Sequence, residues 1–232
     1  MIITGGGPGI MRACNEGAGT ERSFGLNITL PYEQHANHVV ENSERMMNFY
    51  YFFTRKLNFL KQTDALVAFP GGFGTMDEIY ETITLIQTGK STIFPIVLLD
   101  PHGKSFWRHW IEFINRELLD AGLISLDDMK LLYISKDKYD ALQHIAHFYS
   151  RFHSYYFEDD IITIRLMELP PSSSLAEMCR EFADIIPLGD LSAREDDTDD
   201  HEPMLATLPR IRFTFKRGNY ARLRELIDFL NF

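Results

Sequence analysis

Apolar positions along the chain gather into short runs that end at glycine or proline, and these runs alternate with stretches of helical spacing. Met1-Ile-Ile-Thr4 leads into Gly5-Gly6-Gly7-Pro8-Gly9 and then into Ile10-Met11-Arg12-Ala13-Cys14-Asn15-Glu16. This order predicts the end of a strand, a glycine turn, and a helix that takes Pro8 in its first turn, where a missing N–H is harmless. Gly25 to Leu30 alternates and stops at Pro31, a short strand, and Glu44 to Tyr51 reads as extended. Phe52 to Gln62 sets Phe53, Leu57 and Leu60 at helical spacing. Ala65-Leu-Val-Ala-Phe69 is continuously apolar up to Pro70-Gly71-Gly72, as expected of a parallel strand buried on both faces. Thr75 to Thr88 predicts a helix closed by Gly89. Pro95 to Leu99 predicts another buried strand, and Phe106 to Ala121 an amphipathic helix. Alternating strands and helices of this kind predict an α/β fold with a three-layer, Rossmann-like parallel sheet.

The pattern changes after Ser150. Ile161 to Met167 alternates as a strand does, Ser174 to Ile186 is helical, Ile211 to Phe215 alternates again, and Tyr220 to Phe229 is helical. The expected organisation is therefore a main domain over 1–150 and a small α+β extension over 151–232 with β-α-β-α order. Arg194-Glu-Asp-Asp-Thr-Asp-Asp-His-Glu202 reads as a solvated, mobile acidic loop near 194–202 of that extension.

Charge and cysteine content narrow the function classes. Lys plus Arg is 23 and Asp plus Glu is 33 over 232 residues, a formal charge of −10. That balance argues against general binding to nucleic acid or to an anionic membrane. Cys14 and Cys179 are too few for a disulfide framework or a cysteine-based zinc site. No apolar run approaches the roughly 18 residues of a membrane helix, and no basic-then-apolar leader precedes the glycines. The expectation is a cytoplasmic chain of a reducing compartment, with no metal and no cofactor.

The densest chemical signal is Pro70-Gly71-Gly72-Phe73-Gly74-Thr75-Met76-Asp77-Glu78. It lies between a buried strand and a helix, at the sheet edge where open α/β folds bind ligands. Glycines let backbone approach phosphate oxygens, and Thr75 adds a hydroxyl beside the helix N-terminus. Thr75-x-x-Glu78 is equally a capping box, which would give Glu78 a purely structural task. Yet a helix needs neither three glycines nor two acids in its first turn, so Gly71 to Thr75, Phe73 included, are expected to line a ligand site. Gly6 and Gly7, in the first glycine turn, form a second anion-binding corner. Arg55 and Lys56 could grip phosphate or ribose oxygens, although a solvated helix face is the plainer reading of that pair.

Other signals carry less. Thr88-Gly89-Lys90-Ser91 imitates a phosphate loop, but position 84 is Thr where that loop requires Gly. Gly5-x-Gly7 and Gly72-x-Gly74 lack the third glycine of a dinucleotide fingerprint. His144 and His147 share a helix face without an acidic third ligand, and surface placement is expected of them. Phe49-Tyr-Tyr-Phe-Phe53 could stack on a base, with core packing as the default. Asn27-Ile-Thr29 is a glycosylation triplet without a secretory leader.

Gly5-Gly-Gly-Pro-Gly-Ile-Met11, Arg55-Lys56 and Pro70-Gly-Gly-Phe-Gly-Thr-Met-Asp-Glu78 together resemble the Lonely Guy (LOG) family, over roughly residues 1–148. That family was long labelled possible lysine decarboxylases, and close relatives are called AMP nucleosidases. The resemblance implies a nucleotide-binding domain and hydrolysis of the N-glycosidic bond of a nucleoside 5′-monophosphate, AMP or a cytokinin riboside monophosphate, to free base and ribose 5-phosphate. It places the family's essential arginine on Arg55 and its essential glutamate on Glu78. Lys56, Gly72, Gly74 and Thr75 match its nucleotide-binding positions, as do Glu33 and Thr84. The resemblance also implies a homodimer or higher homo-oligomer, and an upstream strand and helix that the chain is expected to lack. Phe52 and Phe53 stand where the family often has Met-His. The decarboxylase label is disfavoured, because no lysine lies in a recognisable pyridoxal-phosphate setting. The alternative function is a non-catalytic carrier of a nucleotide or of molybdenum cofactor on the same fold, and a third is an assembly role for the acidic appendage.

Overall fold

A computed structural model describes residues 1–29, 35–100, 105–196, 200 and 202–231. The chain forms two compact units, Met1–Asp64 and Ala65–Phe232.

The first unit is built on three parallel strands, β1 (Ile2–Thr4), β2 (Ser23–Ile28) and β3 (Met46–Phe49), in the order β1-β2-β3. Ile2 lies opposite Ser23, and Gly25 opposite Met46. Helix α1 (Ile10–Ala18) connects the first two strands, and α2 (Phe52–Lys61) follows the third. The turn into α1 differs from expectation. Gly9, at φ +69°, is the N-cap, so Pro8 stands outside the helix and not in its first turn. Gly6 is a glycine for two reasons. Its φ is +72°, and a Cβ there would meet Met46 Cε at 2.9 Å and Gly25 Cα at 3.5 Å, so the turn packs directly onto β2.

The second unit holds a parallel sheet in the order β4-β5-β6, formed by β4 (Leu66–Ala68), β5 (Ile96–Leu99) and β6 (Leu132–Ser135). Its helices are α3 (Phe73–Gln87), α4 (Phe106–Ile114) and α5 (Lys138–Phe148), and a π-helical turn, Asn115–Leu119, continues α4. All four residues of β5 are buried, and their alternation builds a core on each face. Leu98 packs with Ala68, with Ile79 of α3 and with Trp107 of α4. Val97 and Leu99 pack with Ala141 of α5. Helices thus cover both faces of the sheet, which is why the run from Pro95 to Leu99 shows no polar residue. The fold is the expected α/β, three-layer Rossmann-like type.

Gly89 closes α3 in a Schellman motif, with Lys90 N–H donating to Leu85 O at 2.7 Å and Gly89 N–H to Ile86 O at 3.0 Å. Gly89 has φ +67°, and a Cβ there would overlap the ring of Tyr220. Gly89→Ala is expected to cost about 1–2 kcal/mol from left-handed backbone alone, with displacement of the ring added to it. At about 2–4 °C per kcal/mol for a chain of this size, thermal denaturation should show a Tm at least several degrees lower. An unchanged Tm would disprove the packing.

Beyond α5 the unit continues into a four-stranded antiparallel sheet, ordered β7-β8-β10-β9. Its elements are β7 (Phe152–Glu158), β8 (Ile161–Leu166), α6 (Ser172–Glu181), β9 (Ser192–Arg194), β10 (Arg210–Thr214) and α7 (Tyr220–Leu230). The expected β-α-β-α order is therefore corrected by two further strands, β7 and β9. The change of pattern after Ser150 falls within this second unit. His144 is also corrected from a surface position. It is half-buried, stacked on Tyr133 with ring centroids 3.7 Å apart, and its Nε2 faces Arg224 Nη2 at 3.2 Å. Burial, and then the Arg224 charge, push its pKa down to about 4, so it is neutral at pH 7.

The expectation of a solvated acidic loop is corrected at Asp200, while Glu195, Asp196 and Glu202 are exposed as expected and positions 197–199 and 201 lie outside the described residues. Asp200 is buried and accepts from Arg165 Nε at 2.9 Å and Arg165 Nη2 at 2.5 Å, and it pairs with Arg210. Glu202 takes Arg165 Nη1 at 3.0 Å. The run therefore contributes a buried anion to β8 and β10.

Candidate active site

Strand β4 ends at Ala68, and the chain reaches Gly72 as the N-cap of α3. Gly72 O accepts from Thr75 N–H at 3.1 Å and Met76 N–H at 3.2 Å, so Thr75 is the third helical residue and Glu78 the sixth. A capping box would need Thr75 itself at the cap, and the structure removes that reading of Glu78. It also corrects the expectation of two acids in the first turn, since none lies there. Asp77 is exposed and Glu78 half-buried one turn further along.

The three glycines of this loop differ in what they do. Thr75 Oγ1 occupies the place a Cβ of Gly71 would take, so Gly71 is needed for close packing. At Gly72 and Gly74 a Cβ would meet nothing within 4 Å, and neither has a positive φ. The described protein requires no glycine at either position. Their lack of side chains keeps open the space in front of the first N–H groups of α3, which have no intrahelical acceptors and carry the positive end of the helix dipole. Phe73, at 96% exposure, stands out from the same turn. Thr84 is exposed and donates its hydroxyl to Tyr80 O at 2.7 Å. It shares a helix face with Asp77 and not with Glu78.

In the first unit, Arg55 and Lys56 are the fourth and fifth residues of α2, and both are half-buried. The Arg55 guanidinium lies 5.4 Å from the Phe52 ring centroid and 5.8 Å from that of Phe59. It is therefore held by aromatic faces, which corrects the plain reading of a solvated pair. The aromatic run is not core. Tyr50 to Phe53 are all at least half exposed, Tyr50 by 81%. Glu33 lies outside the described residues. Gly6, Gly7, Arg55 and Lys56 belong to the first unit, and Gly71 to Thr75, Glu78 and Thr84 to the second.

The glycine turn before α1 has a buried frame that sequence reasoning missed. Gly6 N–H donates to Thr4 Oγ1 at 2.9 Å, Thr4 Oγ1 donates to Asn15 Oδ1 at 2.8 Å, and Asn37 Nδ2 lies 3.0 Å from Asn15 Oδ1, Gly6 O and Gly7 O. Beside it opens a cavity of about 570 Å³ lined by Pro8, Arg12, His35, Asn37, His38 and Glu41 among others. Arg12 and His38 both face Glu16, at 3.4 and 3.7 Å. Among the described residues, no three His, Cys, Asp or Glu side chains are grouped as metal ligands, and no helix is long and apolar enough to cross a membrane.

Parallel strands that run through glycine turns into helix N-termini define an α/β protein of Rossmann-like type. The family model described as "Possible lysine decarboxylase" matches residues 11–145. The chain belongs to that family, the LOG family that its motifs resemble. It is 34% identical over 89 residues to cytokinin riboside 5′-monophosphate phosphoribohydrolase LOG2 of Arabidopsis thaliana, covering 38% of this chain and 40% of the relative. To LOG7 of the same plant it is 38% identical over 71 residues, 31% of each chain. To the cytokinin riboside 5′-monophosphate phosphoribohydrolase of Mycobacterium tuberculosis it is 35% identical over 86 residues, 37% of this chain and 43% of the relative. The chain thus spans less than half the length of these relatives.

Proposed function

We propose that this protein hydrolyses the N-glycosidic bond of a nucleoside 5′-monophosphate, AMP or a cytokinin riboside monophosphate, releasing the free base and ribose 5-phosphate. The observation that carries this reading is the second glycine loop, where Gly72 and Gly74 leave open a helix N-terminus and no contact among the described residues requires a glycine at either position. An anion is the natural occupant of such a place, and a 5′-phosphate supplies one. The names of the relatives support the reaction class.

Loss of the base leaves an oxocarbenium-like ribosyl centre, as in glycoside hydrolysis. In this reading the Glu78 carboxylate stabilises that positive charge and the ribose hydroxyls, or orients the attacking water. Gly71 to Thr75 bind the 5′-phosphate, so that binding energy away from the reacting centre positions C1′. Arg55, the match to the family's essential arginine, holds the nucleotide and assists the leaving base. Lys56, Glu33, Thr84, Gly6 and Gly7 are assigned to substrate binding on the family match and the first glycine turn. The protein acts without metal or cofactor, in the cytoplasm, as a homodimer or higher oligomer. Residues 1–150 form the nucleotide-binding domain, and 151–232 its extension.

The test is incubation of the purified chain with AMP and with a cytokinin riboside monophosphate, following base and ribose 5-phosphate by chromatography. Equimolar release of the two products is expected. AMP binding without release would replace the hydrolase with a nucleotide carrier.

A further inference from the structure

Asn37 is more than nine-tenths buried, and its side chain is committed to the first glycine turn. The Nδ2 group has two hydrogens and three acceptors at 3.0 Å, namely Gly6 O, Gly7 O and Asn15 Oδ1, which therefore share them. Its own backbone N–H donates to Gly6 O at 2.7 Å, and its Oδ1 accepts from Val39 N–H at 3.1 Å. Gly6 O is thus held twice by one residue. A peptide is planar and trans, so fixing a carbonyl fixes the N–H of the next residue on the opposite side. Holding Gly6 O and Gly7 O toward Asn37 turns the Gly7 N–H away from it and sets the plane that enters Pro8. Gly9 then caps α1 at φ +69°, presenting the first N–H groups of the helix. Asn37 also lines the cavity that opens between Pro8 and Glu41.

We propose that Asn37 is a positioning residue, which through its hydrogen bonds to Gly6 O and Gly7 O holds the Gly5–Gly9 turn in the form that accepts the nucleotide. The proposal rests on the function proposed above. Asn37 touches no reacting atom in this scheme, so its loss should weaken nucleotide binding and spare the chemical step.

The test uses Asn37→Asp, which replaces the donor with a repelled acceptor, and Asn37→Ser, which is too short to reach both carbonyls. Steady-state kinetics with AMP should show KM raised at least tenfold in both, with kcat within about threefold of wild type. A merely structural role would reduce the active fraction, lowering apparent kcat at unchanged KM. Circular dichroism melts identify the folded range, and if Asn37→Asp does not fold, Asn37→Ser, which leaves room for a bridging water, carries the test. An unchanged KM in folded variant sinks the proposal alone. If the wild-type chain binds AMP without cleaving it, the calorimetric Kd takes the place of KM. If the wild type cleaves only a cytokinin riboside monophosphate, that nucleotide replaces AMP in the kinetics; if it neither binds nor cleaves either nucleotide, the proposed function fails and the role of Asn37 falls with it.

Discussion

Glu78→Gln is expected to lower base release from AMP by about 10²–10⁴-fold, the usual contribution of one carboxylate acting in the transition state, while AMP affinity stays within a few-fold. The amide keeps the size of the carboxyl group and can still accept a hydrogen bond from a ribose hydroxyl, so ground-state binding survives. It has no negative charge, so it stabilises neither the developing oxocarbenium ion nor a partly deprotonated water. The location of Glu78 sharpens the test. Because α3 starts at Phe73 and Glu78 is its sixth residue, the substitution removes no helix cap and so avoids the cost of about 0.5–2 kcal/mol that loss of a cap carries. Turnover and Tm therefore separate the two tasks that Thr75-x-x-Glu78 suggests. Turnover within threefold of wild type would remove Glu78 from the chemistry. A comparable loss of AMP affinity would make it a binding residue for the ground state.

The strands most legible in the sequence are those that lie between layers of helices, fully buried in β5 and partly buried in β4. Ala65 to Phe69 and Pro95 to Leu99 show unbroken apolar runs because helices cover both faces of their sheet, and both contain strands. The start of α3 was harder, since Gly72 and Gly74 are poor helix formers; the apparent start at Thr75 lies two residues late, and that shift alone created the capping box. Strand β7, Phe-His-Ser-Tyr-Tyr-Phe-Glu, hides its alternation behind a register irregularity between Phe152 and Ser154, and β9 is three exposed residues. Local periodicity shows neither.

Within the site, the glycine loops and Arg55-Lys56 could be read as chemistry because glycine density and charge are local signals. The frame behind them could not. Asn15 and Asn37 read as ordinary polar residues, and their task exists only through contacts across 22 to 31 positions. The aromatic run from Tyr50 to Phe53 misled in the opposite sense, because composition alone does not tell an exposed aromatic from a buried one. Asp200 sits within an acidic stretch whose composition suits solvent, and the two arginines that bury it come from strands 35 and 10 residues away.

That buried anion leads to the largest expected change in stability. Asp200→Asn leaves the guanidinium groups of Arg165 and Arg210, with side-chain exposures of 3% and 0%, without the carboxylate that balances them. Removing one partner of a buried ion pair costs about 3–5 kcal/mol, and at about 2–4 °C per kcal/mol the Tm should fall by about 6–20 °C. The pH dependence has a definite sign. Hydrogen bonds from Arg165 first, then from the Glu202 N–H and from Arg210, hold the Asp200 carboxyl well below the ordinary carboxylate range against the opposing effect of burial. An aspartate in the unfolded chain titrates near about 3.9. The folded state therefore prefers the ionised form, and its contribution is complete above that pH and declines as pH falls toward the lower folded-state value. The gap in Tm between wild type and Asp200→Asn should accordingly be constant from pH 6 to 8 and narrow below about pH 4. Arg165 and Arg210 stay charged throughout, so the narrowing reports Asp200 itself. Thermal denaturation across this range measures both effects. A gap of only a degree or two near neutrality would mean that Asp200 is solvated in solution, and a gap that persists undiminished in acid would assign the loss to packing instead of charge.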